Sequence, residues 1–155
     1  MTIRDYEASD KDGVLSLNAG AWPDAEAPEA RGGMDAADLH AIDSVYLKDG
    51  AFLVAVEDGA VVGMVGLQRL TGGSFELRRM RVALAQQGRG IGRKLALETE
   101  ARARSLGAKR IVLSTASQQT AARHVYEAMG YAETGKSVLE DRHGRFDVVH
   151  YEKRL

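Results

Sequence analysis

The chain has no cysteine, only two prolines among its 155 residues, and few aromatic residues, which make up 6% of the sequence. Without thiols there is no disulfide framework, thiolate zinc site, iron–sulfur cluster or cysteine nucleophile, so any catalysis must come from oxygen and nitrogen groups. The four histidines are scattered and predict no metal site. No apolar run approaches the roughly 18 to 20 residues of a membrane span, and residues 1–12 do not resemble a signal peptide. These absences predict a soluble, cytoplasmic protein without a metal or a membrane partner.

The length of the chain predicts one domain spanning residues 1–155. A chain of this size buries about 70% of its unfolded surface on folding, and therefore needs no covalent or metal cross-link. With 45% hydrophobic residues, the sequence has enough apolar side chains to fill such a core.

Charge is distributed unevenly, although the net charge is only −1. Residues 1–77 hold 5 Lys and Arg against 14 Asp and Glu, whereas residues 78–155 hold 16 against 8, so the two halves carry −9 and +8. Such a chain can bind a polyanion on its second half and a cation on its first. Helix faces that merely differ in charge would give the same pattern.

Hydrophobic periodicity predicts an α/β sandwich around one mixed sheet with helices on both faces. The predicted elements are a strand at 3–6, a helix at 10–19, a loop at 19–38, a helix at 39–47, strands at 51–57, 61–70 and 75–82, a glycine-rich loop at 86–92, a helix ending before Gly107, a strand at 109–115, a helix at 118–129, and a terminal hairpin of 132–139 and 146–153 joined by 141–145. Asp58 and Gly59 predict a tight hairpin, and the three central strands a meander. The unbroken apolar run 111–113 predicts a strand covered on both faces.

The loop Gln87-Gly88-Arg89-Gly90-Ile91-Gly92 lies between a predicted strand and a predicted helix. Backbone N–H groups at a helix start are unpaired, and the helix dipole favours negative charge there, so we expect the loop to bind phosphate. Spacing excludes two nucleotide motifs. A dinucleotide fingerprint needs a third glycine where Arg93 or Leu95 stands. A P-loop needs two glycines five residues apart, followed by Lys and then Ser or Thr, and the residues Gly88, Gly92, Arg93 and Lys94 do not fit this pattern.

The remaining pattern, Q-x-R-G-x-G directly after a strand, resembles the Gcn5-related N-acetyltransferase (GNAT) superfamily. A second motif, Tyr126, Glu127, Gly130 and Tyr131, is similar to the family's Y-E-x-x-G-[FY] ending about 35 residues later. The order of elements resembles the family over almost the whole chain. The resemblance implies a mixed, mostly antiparallel GNAT-type sheet with one splayed strand pair.

The resemblance also implies that acetyl-CoA lies between the last meander strand and the strand at 109–115. It assigns the diphosphate to the loop amides and the pantetheine arm to the backbone of Met80 and Val82. Where relatives usually have asparagine, seven residues before the tyrosine, this chain has Gln119, which still offers an amide. The residues that we expect to bind the cofactor are Met80, Val82, Gln87, Gly88, Arg89, Gly90, Gly92, Arg93 and Gln119.

Two side chains are candidates for catalysis. An alkylammonium with a pKa near 10 must lose a proton before it can attack, and the resemblance places Glu76 where several relatives have a glutamate base or amine-orienting residue. A purely structural pair of Glu76 with Arg78 or Arg79 is the alternative. Tyr126 has the position of the family's acid, which protonates the departing thiolate; from spacing alone it would be a core aromatic residue.

The histidines and an acidic loop are weaker candidates. Each histidine is expected to have a structural or solvent-exposed role; the alternative for His150, in the last strand, is that it lines the acceptor cleft. The predicted loop 19–38 contains Trp22 and an acidic set that would attract a cationic amine, or would simply be solvated. The acidic residues are Asp24, Glu26 and Glu29.

The sequence therefore predicts an acetyl-CoA-dependent N-acetyltransferase that transfers acetyl to a primary amine by direct attack in a ternary complex. One alternative is a non-catalytic acyl-CoA-binding regulatory domain of the same fold. Another is a nucleic-acid binder that uses its arginines, but the chain has no basic total and no interleaved aromatics. We expect a small-molecule or peptide amine as acceptor and no nucleic acid; the sequence is compatible with a homodimer.

Overall fold

A computed structural model of the chain describes residues 1–20, 36–141 and 144–155, with Asp141 described by its backbone. It contains seven strands: β1 (Thr2–Asp5), β2 (Ala51–Glu57), β3 (Ala60–Arg69), β4 (Ser74–Val82), β5 (Arg110–Ala116), β6 (Ala132–Asp141) and β7 (Gly144–Arg154). The α-helices are α1 (Lys11–Gly20), α2 (Ile91–Ser105) and α3 (Thr120–Ala128). Short 3₁₀ turns cover Ala8–Asp10, Asp38–His40 and Leu84–Gln86.

The strands form one sheet in the order β1-β2-β3-β4-β5-β7-β6. Every neighbouring pair is antiparallel except β4 and β5, which are parallel. The predicted meander is confirmed as β2-β3-β4, and its first turn has positive φ angles at Asp58 and Gly59 of 51° and 78°. This is the left-handed conformation that a two-residue hairpin loop needs. The predicted mixed, mostly antiparallel sheet is confirmed.

Helices pack on both faces of the sheet, and each face has its own apolar cluster. On one face, α2 and α3 pack on the sheet through Leu95, Ala103 and Tyr126, beside the strand residues Phe75 and Ile111. On the other face, α1 and residues 39–46 cover β2 and β3. No helix in the described part of the chain is long and apolar enough to span a membrane.

The predicted helix over residues 39–47 is wrong in kind. Instead of one α-helix, the chain forms the turn Asp38–His40 and then a five-residue π-helix, Asp43–Leu47. Ala41 lies between them with φ −133° and ψ 39°, outside the helical region, which interrupts the helix. The buried Tyr46 hydroxyl donates a hydrogen bond back to Asp38 over 2.5 Å, which links the two turns.

Strand β5 is also not covered on both faces, contrary to the expectation from its apolar run. Ile111 and Leu113 are buried against the helices, whereas Val112 is half-buried and Ser114 is exposed. Because α1 and the π-helix lie over β2 and β3, none of the described helices covers the second face of β5, β7 and β6. This open face becomes part of the candidate site.

Candidate active site

The parallel strands β4 and β5 pair only at their first residues. The register runs from Ser74 opposite Arg110 to Glu76 opposite Val112, and no pair follows, although β4 continues to Val82 and β5 to Ala116. Beyond Glu76 the facing edges of the two strands therefore form a wedge. Backbone groups at such an edge are free to bind an extended ligand as a third strand.

A bulge in β4 lies at the start of this wedge. In the ladder with β3, Met64 pairs with Arg81 but Gly66 pairs with Arg78, so β4 has one extra residue here. Arg79 has a φ of 59°, which is costly for a residue with a side chain and must be held by its surroundings. Its guanidinium donates to both carboxylate oxygens of Asp38, over 2.6 and 3.0 Å.

The pair of Arg79 and Asp38 is almost buried, with 11% of each side chain exposed. Burial would raise the pKa of Asp38, but hydrogen bonds from Arg79 and Tyr46, together with the charges of Arg79 and Arg78, hold this pKa below its usual value. The same burial and the neighbouring carboxylate raise the pKa of Tyr46. The bulge is thus anchored by a charged carboxylate and a neutral phenol.

The glycine loop lies at the other end of the wedge. The amides of residues 88–93 donate to no carbonyl among the described residues, and the first intrahelical donor is Lys94, to the Gly90 oxygen over 3.1 Å. Gly88 and Gly90 both have φ 81°. Apart from the adjoining residues, no heavy atom of the described chain lies within 4 Å of the position that a Cβ would take at either glycine. These free amides at the start of α2, with no Cβ in front of them, fit the diphosphate of acetyl-CoA.

Arg89 differs from the other residues of the loop. Its guanidinium forms two hydrogen bonds with Glu57, of 2.9 and 3.0 Å, and one with the Gln86 side chain. The side chain of Arg89 is thus paired with Glu57, and its contact with the cofactor stays a prediction. Arg93, by contrast, lines the pocket beside the loop.

The wedge and the loop together form a cavity of about 600 Å³. It collects the predicted cofactor residues Met80, Val82, Gln87, Gly88, Gly90, Gly92, Arg93 and Gln119, and Arg89 is the one that is not among its lining residues. The side-chain amide of Gln87 donates a hydrogen bond of 3.0 Å to the Val82 carbonyl, which fixes the loop against β4. Gln119 is the N-cap residue of α3, and it lines the cavity at this point.

A second cavity of about 380 Å³ adjoins the first and opens onto the uncovered face of β5 and β7. Its walls include Glu76, Arg78, Ser114 and Phe146. Tyr126, Arg81, Met80, Gln119 and Ala122 line both cavities. A ligand in the larger cavity and one in the smaller would therefore meet beside these shared residues, of which Tyr126 is one.

Tyr126 is 4% exposed, and its ring packs edge-on against Tyr131 with 5.7 Å between centroids. Burial raises its pKa to about 12, while the charge of Arg81 opposes the rise. Its phenol is therefore protonated at neutral pH, and none of the described residues hydrogen-bonds to it. Glu127 of the same motif accepts a hydrogen bond of 2.7 Å from the Tyr151 hydroxyl, which fastens α3 to β7.

Glu76 lies at the wall of the smaller cavity and is paired with Arg78, with 3.3 Å between Oε1 and Nε. Arg78 also donates to Gln68 over 3.0 Å. Glu76 thus forms an ion pair with Arg78, as the structural alternative expects, and also lines the cavity, as a catalytic role requires. Catalysis by Glu76 stays a prediction.

Two residues have surroundings that the sequence patterns do not indicate. Arg81 lies at the junction of the cavities, where burial and the charge of Arg79 lower its pKa to about 10. His150 accepts or donates hydrogen bonds of 2.7 Å to Ser114 and 2.8 Å to Ser137. The sequence offers His150 as a candidate for lining the acceptor cleft, but His150 is not among the lining residues of either cavity. The burial of Arg81 and the hydrogen bonds of His150 are visible only in the structure.

The other candidates are placed as follows. His124 is exposed on α3. Trp22, Asp24, Glu26, Glu29 and His143 lie outside the described residues. No cluster of three or more potential metal ligands occurs among the residues that the structure describes.

The comparisons agree with this geometry. Residues 14–131 match the model of the acetyltransferase (GNAT) family, and the chain belongs to this family. It is 33% identical over 121 residues to a probable N-acetyltransferase, camello, of Xenopus tropicalis, an alignment that covers 74% of this chain and 55% of the relative. The chain spans only about a third to three fifths of the length of the first curated relatives it matches.

Solved structures share the fold over almost the whole chain. A GNAT-family acetyltransferase of Staphylococcus aureus superposes with a TM-score of 0.82 at 22% identity, covering 99% of this chain and 98% of the other. A putative acetyltransferase of Salmonella typhimurium, yncA, has a TM-score of 0.76 at 25% identity, covering 99% and 93%. The latter structure contains acetyl-CoA. The predicted family and fold class are thus confirmed.

Proposed function

We propose that the protein is an acetyl-CoA-dependent N-acetyltransferase that transfers acetyl to a primary amine by direct attack in a ternary complex. The observation that carries this proposal is the meeting of two cavities at one protonated phenol, Tyr126, in the wedge between β4 and β5. Family membership and the N-acetyltransferase name of the camello relative support it. Bound acetyl-CoA supplies an acyl group activated as a thioester.

The larger cavity would hold acetyl-CoA through backbone groups. The amides of residues 88–93 would bind the diphosphate, and the edge of β4 from Met80 to Val82 would pair with the pantetheine arm. The carbonyls of Met80 and Val82 already accept hydrogen bonds from the side chains of Arg81 and Gln87, so the arm would pair mainly with backbone amides. One of these β4 amides would donate to the thioester oxygen as negative charge develops on it. Gln119 would hydrogen-bond a pantetheine amide from the opposite wall.

The smaller cavity would hold the acceptor amine, a small molecule or a peptide. Glu76 lies where its carboxylate can orient the ammonium group, and it would accept the proton directly or through water. Tyr126 would give its proton to the departing thiolate, because a group with a pKa of about 12 is fully protonated at neutral pH. Direct transfer follows from the absence of any cysteine that could form an acetyl-enzyme.

Release of free thiol from acetyl-CoA, measured with amines of several classes, tests the proposal. We expect turnover with at least one class and calorimetric binding of acetyl-CoA without any amine. Binding without thiol release for every amine would favour the non-catalytic acyl-CoA-binding domain. A salt-sensitive mobility shift with DNA or RNA would favour the nucleic-acid binder. Location in the cytoplasm and a homodimer stay predictions.

A further inference from the structure

The uncovered face of β5, β7 and β6 carries one histidine between two serines. His150 lies opposite Ser114 in the β5–β7 ladder, and its Nδ1 is 2.7 Å from the Ser114 hydroxyl. Its Nε2 is 2.8 Å from the Ser137 hydroxyl of β6. Both ring nitrogens are therefore engaged, and the ring plane is fixed from two sides.

Ser114 connects this histidine to the acceptor cavity. It is exposed, lines the smaller cavity, and lies two residues beyond Val112, the partner of Glu76 at the last paired position before the wedge opens. Alternation along β4 and β5 places Glu76, Arg78 and Ser114 on the same face of the sheet. An amine oriented by Glu76 therefore lies near the Ser114 hydroxyl.

We propose that Ser114 and His150 form a proton relay that deprotonates the acceptor ammonium, while Ser137 fixes the orientation of the imidazole. This inference rests on the proposed N-acetyltransferase activity and makes His150, in place of Glu76, the acceptor of the ammonium proton. Glu76 orients the ammonium, because its carboxylate is shared with Arg78. Ser114 touches the acceptor, and His150 acts through Ser114 as a positioning and proton-accepting group.

The protons balance along this path. With the ring proton on Nε2, that nitrogen donates to Ser137, and Nδ1 accepts the hydroxyl proton of Ser114. One N–H bond of the ammonium breaks as a new O–H bond forms on Ser114, whose original proton passes to Nδ1. The imidazolium then donates hydrogen bonds to the hydroxyls of Ser114 and Ser137, both of which can accept. Because the ring of His150 is half-exposed, the imidazolium releases its extra proton to water. The second amine proton, lost when the amide forms, replaces the one that Tyr126 gives to the thiolate.

The described carboxylates on this face of the sheet are paired with arginines, and Arg154 of β7 is a further cation on it. On the same face, Arg110 of β5 lies 3.9 Å from Glu152 of β7, and Glu76 and Arg78 of β4 pair with each other. On β6, the Ser137 hydroxyl contacts the ring. Two carboxylates of β6 form ion pairs with other residues: Glu133 with Lys136, and Glu140 with Arg145 of β7. None of these carboxylates competes with Ser114 for Nδ1.

The test compares kcat/KM for the best acceptor amine between pH 6 and 10 in His150→Gln and the wild-type protein. Glutamine keeps a donor and an acceptor but cannot take up a proton. At pH 7 we expect a loss of about 100-fold, the lower range for general base catalysis, with KM for acetyl-CoA unchanged. The loss should shrink by about tenfold per pH unit and disappear near pH 9, because the growing fraction of free amine, whose conjugate acid has a pKa near 10, needs no base.

Ser114→Ala should reproduce this pH-dependent loss, and the double variant should lose no more than either single one. Because Ser114 is exposed, we expect Ser114→Ala to fold, so this variant still tests the relay if His150→Gln unfolds. Ser105→Ala is the matched control: this exposed serine of α2 donates to the Ala101 carbonyl and lines neither cavity, so its loss should leave kcat/KM unchanged. A loss that is constant with pH, or no loss, overturns the relay.

Glu76→Gln in the same assay separates the two candidate bases. A pH-dependent loss for Glu76→Gln, together with a constant or absent loss for His150→Gln, would assign the base to Glu76 and refute the relay alone. Wild-type protein that releases no thiol with any amine would refute the proposed function and the relay with it.

Discussion

Replacing Gly90 by aspartate tests the position of the diphosphate. Gly90 is the N-cap of α2, has a φ of 81°, and leaves open space where a Cβ would be. An aspartate here meets no steric barrier, tolerates the left-handed conformation better than most residues, and is a favourable N-cap. Its carboxylate would lie against the free amides of residues 88–93, where it would satisfy some of them and repel phosphate.

The size of the effect follows from Coulomb's law. Two unit charges about 5 Å apart repel each other by about 1 kcal/mol in water and about 3 kcal/mol at an effective dielectric constant of about 20. For a diphosphate with about two charges in a solvent-exposed loop, we expect a loss of roughly 2–4 kcal/mol. The Kd for acetyl-CoA should therefore rise about 30- to 700-fold.

Two further variants isolate the charge. Gly90→Asn has nearly the same shape and backbone cost without the carboxylate, and should weaken binding by less than about tenfold. Gly107→Asp adds the same charge at φ 80°, also in open space, at the far end of the 15-residue helix α2, about 22 Å away. It should leave the affinity unchanged.

Calorimetric titration with acetyl-CoA at low and high salt measures all three variants. The difference between the aspartate and asparagine variants at Gly90 should narrow at high salt, because ions screen exposed charges. Equal dissociation constants for these two variants at low salt would show that the diphosphate does not lie at this helix start.

Three further predictions concern the phenol, the bulge and the sheet. Tyr126→Phe should lower kcat by about 10- to 100-fold with acetyl-CoA affinity unchanged, and equal rates would remove Tyr126 from the mechanism. Asp38→Asn should destabilise the fold by about 2–4 kcal/mol at pH 7. Because the folded-state pKa of Asp38 is lowered, its contribution is complete above the unfolded pKa near 4 and is lost as pH falls through the folded-state pKa, so the difference in urea unfolding between the two proteins should narrow progressively below about pH 4. Gly66→Ala would place a Cβ 2.6 Å from the Tyr46 ring, and thermal unfolding should show a loss of about 1–3 kcal/mol; unchanged stability would mean that the ring moves freely.

Local signals in the sequence account for most of the strands and for the glycine loop. Asp58 and Gly59 are sufficient to predict their hairpin, because few residue pairs adopt two successive positive φ angles. The motif from Gln87 to Gly92 predicts free amides for a similar reason: it combines glycines with the start of a helix. Tyr126 was found through the spacing of a second motif rather than through any property of its helix.

Long-range contacts decided what the sequence analysis missed. The side chain of Arg89 pairs with Glu57, 32 residues earlier, and a local pattern cannot show this ion pair. The helix expected at 39–47 is divided because Tyr46 reaches Asp38 and, through it, Arg79 in a distant strand. In both cases an ion pair or hydrogen bond formed on folding outweighs a weak local preference.

The sequence by itself determined the family, the order of the strands and helices, and the residues of the cofactor loop, because these depend on backbone conformation within a few neighbouring residues. Only the tertiary structure decided where β4 and β5 separate, that Tyr126 lies at the junction of two cavities, and that His150 stands between two serines. These features depend on the register between strands that are far apart in the chain, and that register is set by the packing of the whole sheet.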